Sequence, residues 1–455
     1  MRNSAWDRLV AALPDAARER WLPAVLARNV HTAYLRRHGS PRTLESFRES
    51  VPVVGHEHLL PWLERIQRGE PDVLFAGRPV AYERTGGSTG GAKLVPYSEQ
   101  GLADFRSALL PWLVGAVRAH GVTGRAYFSI SPATRQPERI GGVPVGLPDG
   151  AYLGGAAGVL DEVSAVPLEV ASIPDVARWR AETLRHLAAA ADLELISVWS
   201  PTFLLRLLED LPDPVSLWPR LKLVSCWASG ASRPFAEALA ARLPHAHLQP
   251  KGLLSTEGVV TVPDAEDRPV LTEHGFFEFE REGKLHLAGE LVLGAVYGVV
   301  ATTASGLYRY RTGDLVRCDG SSPAGRPSLE FMGRGELACD LVGEKLGESF
   351  VERCLQGIRG FRMVVPGTRG DGYVLLAENG SRADPGRVER RLCENPQYAY
   401  ARRLGQLEPL RLMEVAHLFE RYVDFQLQQG VRLGDVKPVA LRAERTWAAR
   451  LGGTP

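Results

Sequence analysis

LELISVWSPTFLLRLLEDLPDPVSLWPRLKLVSCWASG, residues 193–230, contains two short β-rich runs, Leu195–Trp199 and Leu221–Trp227, on either side of a helical segment, Phe203–Leu211. Upstream, Asp175–Ala190 has helical spacing. Helix, strand, helix and strand in this rhythm predict an α/β fold with a mostly parallel sheet. Working outward, Trp6, Leu9, Val10 and Leu13, then Leu22, Val25 and Leu26, recur at spacings of three and four, so residues 1–37 read as helices broken by Pro14 and Pro23. His58–Arg68 and Leu102–Val117 read as further helices, and Tyr127–Ile130 as a short buried strand. The Gly- and Pro-rich stretch 131–160 reads as turns and loops near a site.

Beyond residue 270 the pattern changes to strands and turns, Gly275–Glu280, Lys284–Leu287, Leu291–Thr302 and Leu307–Arg311, which predicts an antiparallel β portion. From about 339 the chain restarts with a helix at 348–357, a strand at 373–377, a helix at 384–394, a strand at 410–415 and a helix at 417–429. That is a small α+β unit. The expected division is a large N-terminal domain, 1–338, and a small C-terminal domain, 339–455, with a hinge between Arg334 and Lys345.

With 45% hydrophobic and 24% charged residues and a formal net charge of +1, the chain has ordinary globular composition and no global field favouring nucleic acid. No apolar run reaches the roughly 20 residues a membrane span needs. Cys226, Cys318, Cys339, Cys354 and Cys393 are sparse and scattered, which argues against a disulfide framework or zinc site and makes the cytoplasm the expected compartment. Among the 54 Lys and Arg residues, only Lys93, Lys222, Lys251, Lys284, Lys345 and Lys437 are lysines. A GC-rich genome produces such a skew, yet a guanidinium cannot replace a compact ammonium everywhere, so each lysine invites a question.

Three motifs carry chemistry. Thr85-Gly86-Gly87-Ser88-Thr89-Gly90-Gly91-Ala92-Lys93 could cradle phosphate oxygens with backbone N–H groups, hydroxyls and an ammonium, or be a flexible surface turn. It is not a Walker loop, because Ala92 separates glycine from lysine. Tyr308-Arg309-Tyr310-Arg311-Thr312-Gly313-Asp314 reads as a β-run ending in a Thr-Gly-Asp turn, where Asp314 could accept hydrogen bonds from a ribose diol or simply be exposed. Ser255-Thr256-Glu257-Gly258 suits an ATP-bound Mg²⁺ or a helix N-cap. No Gly-x-Ser-x-Gly elbow, HExxH pair or EF-hand loop is present.

Taken in order, these segments resemble an adenylate-forming enzyme and, more narrowly, the plant auxin-responsive Gretchen Hagen acyl-acid amido synthetases and their bacterial relatives. The likeness runs through SFRESVPVVGHEHLLPWLERIQRGE, RTGGSTGGAKLVPYS, SLWPRLKLVSCWASGAS, LLSTEG, GFFEF, VVATTASGLYRYRTGDLVRC, GEKLGE, ENPQYAYARR and the terminal Gly430…Val436-Lys437-Pro438. It implies a large adenylate-forming domain and a small mobile C-terminal domain, ATP and Mg²⁺ as cofactors, and an acid and an amine or amino acid as substrates. The resemblance puts Ser88, Thr89 and Lys93 around the ATP phosphates, and Ser229, Gly230 and Ala231 near the adenine and acyl groups. It puts Thr256 near the phosphate, Glu257 on Mg²⁺ and Asp314 on the ribose. Arg334 and Lys345 would approach the nucleotide near the hinge, and Lys437 would swing in with the small domain. Gly86 and Leu253 depart from the family pattern, which usually has Ser and often Tyr there. An acyl-CoA ligase and a non-catalytic nucleotide-binding relative are the alternatives. The sequence does not name the acid; the 127–160 loops and the 199–206 helix start are expected to line its pocket, and Arg135 and Arg139 could meet a second carboxylate or be solvated loop residues.

Overall fold

The computed structural model describes residues 5–6, 21–84, 93–128, 138–147, 152, 154, 157–211, 213–335, 338–339, 341–342, 344, 346–403, 406–431 and 433–452. The expected parallel sheet is present and has four strands, in the order Arg125–Phe128, Leu193–Ser197, Leu223–Cys226 and His247–Pro250. The fourth strand was not evident in the sequence, because HLQP has no apolar alternation. One face of the sheet packs Ile196 and Val224 against Trp179, Phe203, Leu207 and Trp218. The other packs Ala126, Leu195 and Leu223 against Leu110, Leu113 and Val117 of the helix Glu99–Ala119. Burial on both faces explains why the two inner strands, Leu193–Ser197 and Leu223–Cys226, read as mostly apolar runs.

The antiparallel portion is a seven-stranded sheet in the order Thr261–Pro263, Pro269–Leu271, Pro327–Arg334, Tyr310–Ser321, Val296–Thr302, Phe276–Arg281, Lys284–His286. Its long strand corrects the expected strand at 307–311. The chain enters the sheet at Tyr310 and continues to Ser321, so Thr-Gly-Asp is a bulge inside a strand rather than a turn at its end. Gly298 pairs with Leu315 and Val300 with Arg311, leaving Val299 opposite three residues. Gly313 supplies the left-handed φ of 81° the bulge requires, and Thr312 Oγ1 accepts from Asp314 N at 3.1 Å. The bulge re-aims Asp314 toward Arg334, its ladder partner.

Two of the phrases quoted from the sequence, GFFEF and LYRYRTGD, meet in one internal joint. Arg309 is buried with φ of 48° and gives Nε and Nη2 to both oxygens of Glu278, at 2.7 and 2.9 Å, while Nη1 donates to Arg48 O and Val51 O. Thus GFFEF and LYRYRTGD hold each other and the N-terminal helices together. Tyr34, Phe47, Tyr308 and Tyr310 share the core beneath that joint.

The stretch 131–160 departs from the loop reading: Glu138–Ile140 and Val143–Val145 form a hairpin that extends a small sheet through Ala81–Arg84 and Leu94–Tyr97, and Ala157–Val163 is helical. In the C-terminal part, three strands, Arg362–Pro366, Gly372–Glu378 and Glu408–Val415, carry separate cores on their two faces. Phe235 from the preceding part packs on Phe419 at 5.3 Å between ring centroids. Among the described residues no helix is long and apolar enough to cross a membrane.

Candidate functional site

The carboxyl ends of the parallel strands build the floor of a cavity of ≈ 430 Å³, the usual ligand position in an open α/β sheet. Ser197 ends one strand and Trp199 lies just past it; Trp227 follows the next, with its N–H donating to Trp199 O at 2.8 Å. Lys251 follows the fourth strand, tied by its N–H to Cys226 O. Gly252 turns the chain there with φ of 79°, and a Cβ on it would meet Thr261 O at 2.6 Å. The backbone therefore aims Lys251 into the cavity by a turn that only glycine fits.

The opposite wall comes from the antiparallel sheet. Thr256 and Glu257 form the two-residue loop of the hairpin Leu254–Ser255 and Gly258–Val259, which excludes the helix-cap alternative. Tyr97 Oη donates to Thr256 O at 2.6 Å and fixes that loop. Asp314 is only 2% exposed; Oδ1 accepts from Arg334 Nε at 3.1 Å, whereas Oδ2 has no hydrogen-bond partner among the described residues. Burial raises the Glu257 carboxyl above its ordinary pKa, and Asp314 adds to the rise while Arg334 opposes it.

The C-terminal segment closes the site. Lys437 Nζ lies over the Trp227 ring, 4.4 Å from its centroid. Burial and then Arg334 lower its pKa, against Asp314, Asp435 and Glu257. The side chain is surrounded by protein yet faces the open volume of the cleft, so a large part of its surface remains accessible. Its backbone is held by Tyr422 Oη, which donates to Lys437 O at 2.9 Å. Glu348, pushed up to about 7 chiefly by burial, borders the same cavity and accepts from Ala440 N.

Of the residues singled out in the sequence, the fold brings Ser229, Gly230, Thr256, Glu257, Asp314, Arg334 and Lys437 to one cavity. Ala231 lies in the adjoining 3-10 turn Gly230–Ser232. Lys93 precedes the strand Leu94–Tyr97, is not among the described residues that border the cavity, and lowers the pKa of His56 after the larger effect of burial. Ser88, Thr89 and Lys345 lie outside the described residues. Arg139 sits in an edge strand, donates to Gly142 O at 2.6 Å and is not among the described residues that border the cavity; Arg135 is outside the described residues. Leu253 borders the cavity but is anchored in the core of the antiparallel sheet with Val260 and Phe277. The sequence reading missed Trp112, Trp227, Phe331 and Lys251; only the rarity of lysine pointed to the last.

The Asp314 oxygen without a donor fits a ribose diol, since a buried carboxylate oxygen is costly to leave unsatisfied. For a metal the donor set is smaller: no group of three or more His, Cys, Asp or Glu able to hold an ion occurs among the described residues. One buried carboxylate, Glu257, still suits Mg²⁺, which takes most of its ligands from water and phosphate.

The fold is that of the adenylate-forming enzymes. A structure titled 2-hydroxyisobutyryl-CoA ligase in the postadenylation state matches with a TM-score of 0.55 at 15% identity, covering 93% of this chain and 99% of that one. A structure of an acyl acid amido synthetase, AtGH3.15 in complex with 2,4-DB, matches with a TM-score of 0.82 at 19% identity, covering 98% of this chain and 95% of that one. The GH3 family N-terminal domain matches residues 8–213 and the GH3 family central domain residues 269–334. A rice protein (Oryza sativa subsp. japonica) named "Probable indole-3-acetic acid-amido synthetase GH3.1" is 24% identical over 94% of this chain and 87% of its own. The chain belongs to the GH3 family.

Proposed function

We propose that this chain uses ATP to activate a small carboxylic acid as an acyl-adenylate and then transfers the acyl group to an amine or amino acid. The observation that carries the reading is the convergence of Asp314, with its free Oδ2, Glu257, Arg334 and Lys437 on one cavity from segments far apart in sequence. In the first step a substrate carboxylate oxygen attacks the α-phosphorus of ATP and pyrophosphate leaves. Positioning and charge stabilisation accelerate such a step. Asp314 holds the ribose, and Arg334 and Lys437 meet the negative charge. Glu257 would hold Mg²⁺, which would supply charge neutralisation on the phosphates. In the second step the neutral nitrogen of the amine attacks the acyl carbon and the bond to AMP breaks. The chain divides at 338/339 into a large domain and a smaller one that carries Lys437 in and out. The reaction belongs in the cytoplasm, where ATP is supplied.

Likeness over nearly the whole chain to amido synthetases supports an amine as acceptor; the weaker structural likeness to a CoA ligase supports thioester formation as the second reading. An ATP–pyrophosphate exchange screen over acids, with products weighed after adding amino acids or CoA, tests both. Absence of exchange with every acid would reduce the chain to a nucleotide-binding relative.

Two variants test the individual roles. Asp314→Ala should raise the Michaelis constant for ATP by roughly tenfold to a hundredfold, the equivalent of about 1.5–3 kcal/mol for hydrogen bonds to a charged group, with a much smaller effect on maximal exchange. An unchanged constant would return Asp314 to a purely structural part in the bulge. Glu257→Gln keeps the size and removes the charge, so its exchange activity should fall and partly recover at high Mg²⁺. Wild-type behaviour at every Mg²⁺ concentration would remove Glu257 from the metal site.

A further inference from the structure

Lys251 has no part in the reaction described above, yet it borders the same cavity. The residue is 3% exposed, and among the described residues its ammonium makes one hydrogen bond, from Nζ to Ser197 Oγ at 2.7 Å. The ammonium lies over two tryptophan rings, 4.8 Å from the centroid of Trp112 and 5.0 Å from that of Trp199. The Trp112 ring is held by its Nε1, which donates to Gln249 Oε1 at 3.0 Å, and the Trp199 backbone is tied through its O to Trp227 N. Among the described residues no carboxylate forms an ion pair with Lys251, in contrast to Lys222, whose ammonium meets Glu194 at 2.9 Å. An ammonium has three donors, and a buried cation without a counter-charge is costly. Burial has pushed this one down to about 7. An anion would restore the charged form.

The placement relative to Lys437 supplies a direction. Trp199 and Trp227 are neighbours, 6.1 Å between ring centroids, with Lys251 over the first and Lys437 over the second. The two ammoniums thus stand over neighbouring rings of one cavity, and on the reading proposed above the Lys437 end is the nucleotide end. Between the helix Glu99–Ala119 and the sheet, Phe105, Leu109 and Leu113 make the intervening wall apolar.

We propose that Lys251, hydrogen-bonded to Ser197 and caged by Trp112 and Trp199, recognises a second carboxylate at the far end of the acid substrate, so that the preferred substrates are dicarboxylic acids. The inference rests on the reading of the apolar end as the acyl pocket. One carboxylate lies at the nucleotide end and reacts; the other takes a donor of Lys251. The tryptophan rings exclude water from that contact and strengthen it.

Binding is measured on the full chain through tryptophan fluorescence, since Trp112 and Trp199 flank the contact, and by calorimetry. The probes are linear dicarboxylic acids and monocarboxylic acids of equal length ending in methyl. Wild-type protein should bind the dicarboxylate roughly tenfold to a hundredfold more tightly, the range for one hydrogen bond to a charged group. In Lys251→Met, which conserves shape, the two acids should bind alike, with thermal melting establishing that the variant is folded. Equal binding of both acids by the wild type, or a preference surviving in the variant, would overturn the proposal; should the variant not fold, the wild-type comparison decides alone. Pyrophosphate exchange run with the same acids separates the two readings. A binding preference without exchange leaves Lys251 as assigned and removes the enzyme reading, and exchange without preference does the reverse.

Discussion

Lys437→Ala should lose ATP–pyrophosphate exchange by about 10²–10³, the usual cost of removing a preorganised charge that meets developing negative charge. The same variant, given a synthetic acyl-adenylate, should still form amide at a near-normal rate. The asymmetry follows from how the lysine is held. It stands on the C-terminal segment after the 3-10 turn Leu433–Asp435, with its carbonyl fixed by Tyr422 and its ammonium over Trp227, across from Asp314 and Glu257. A group carried by a separate part of the chain can serve one half-reaction and withdraw for the other. Lys437→Arg should not restore full exchange, because a planar fork cannot occupy the position of a compact ammonium over the ring. Normal exchange in the alanine variant would make Lys437 a bystander; equal loss in both half-reactions would point to a docking defect.

The second large effect concerns stability. Glu278→Ala should destabilise the chain by about 3–5 kcal/mol, the typical cost of leaving one partner of a buried ion pair uncompensated. Glu278 is fully buried and accepts from Arg309 at both oxygens and from Arg48 at 2.9 Å. Arg309 would keep its charge among Val51 O, Arg48 O and apolar side chains with nothing to balance it. One ladder step away, the pair Arg311–Glu280 is partly open to solvent, and Glu280→Ala should cost less than about 1 kcal/mol. Urea midpoints of the two variants make the comparison. Because Glu278 does not border the cavity, the folded fraction of its variant should still exchange pyrophosphate. Similar midpoints for both variants would show that the buried pair contributes no more than the surface one.

These two residues mark where reading the sequence succeeded and where it stopped. Spacing alone located three of the four parallel strands, because the inner strands are largely apolar, and ordered motifs singled out Asp314, Glu257 and Lys437. The same reading took Thr-Gly-Asp for a turn. A bulge needs the opposite strand to be recognised, and the partner Val299 lies 13 residues before Thr312. It grouped GFFEF and LYRYRTGD as marks of the family without distinguishing stabilising from site residues. Glu278 and Asp314 are both carboxylates in such motifs, and only burial against Arg309 or exposure to a cavity separates them.

Lysine usage shows the same boundary. The sequence established that lysine is rare and therefore informative. It could not tell that Lys222 answers the buried Glu194, or that Lys251 has tryptophans from two other segments around it. Local pattern determines which segments become helices and strands, because periodicity and turn chemistry act over a few residues. Which side chains meet across the cavity depends on strand order and crossover, contacts between positions up to hundreds of residues apart, and those were decided by the tertiary structure alone.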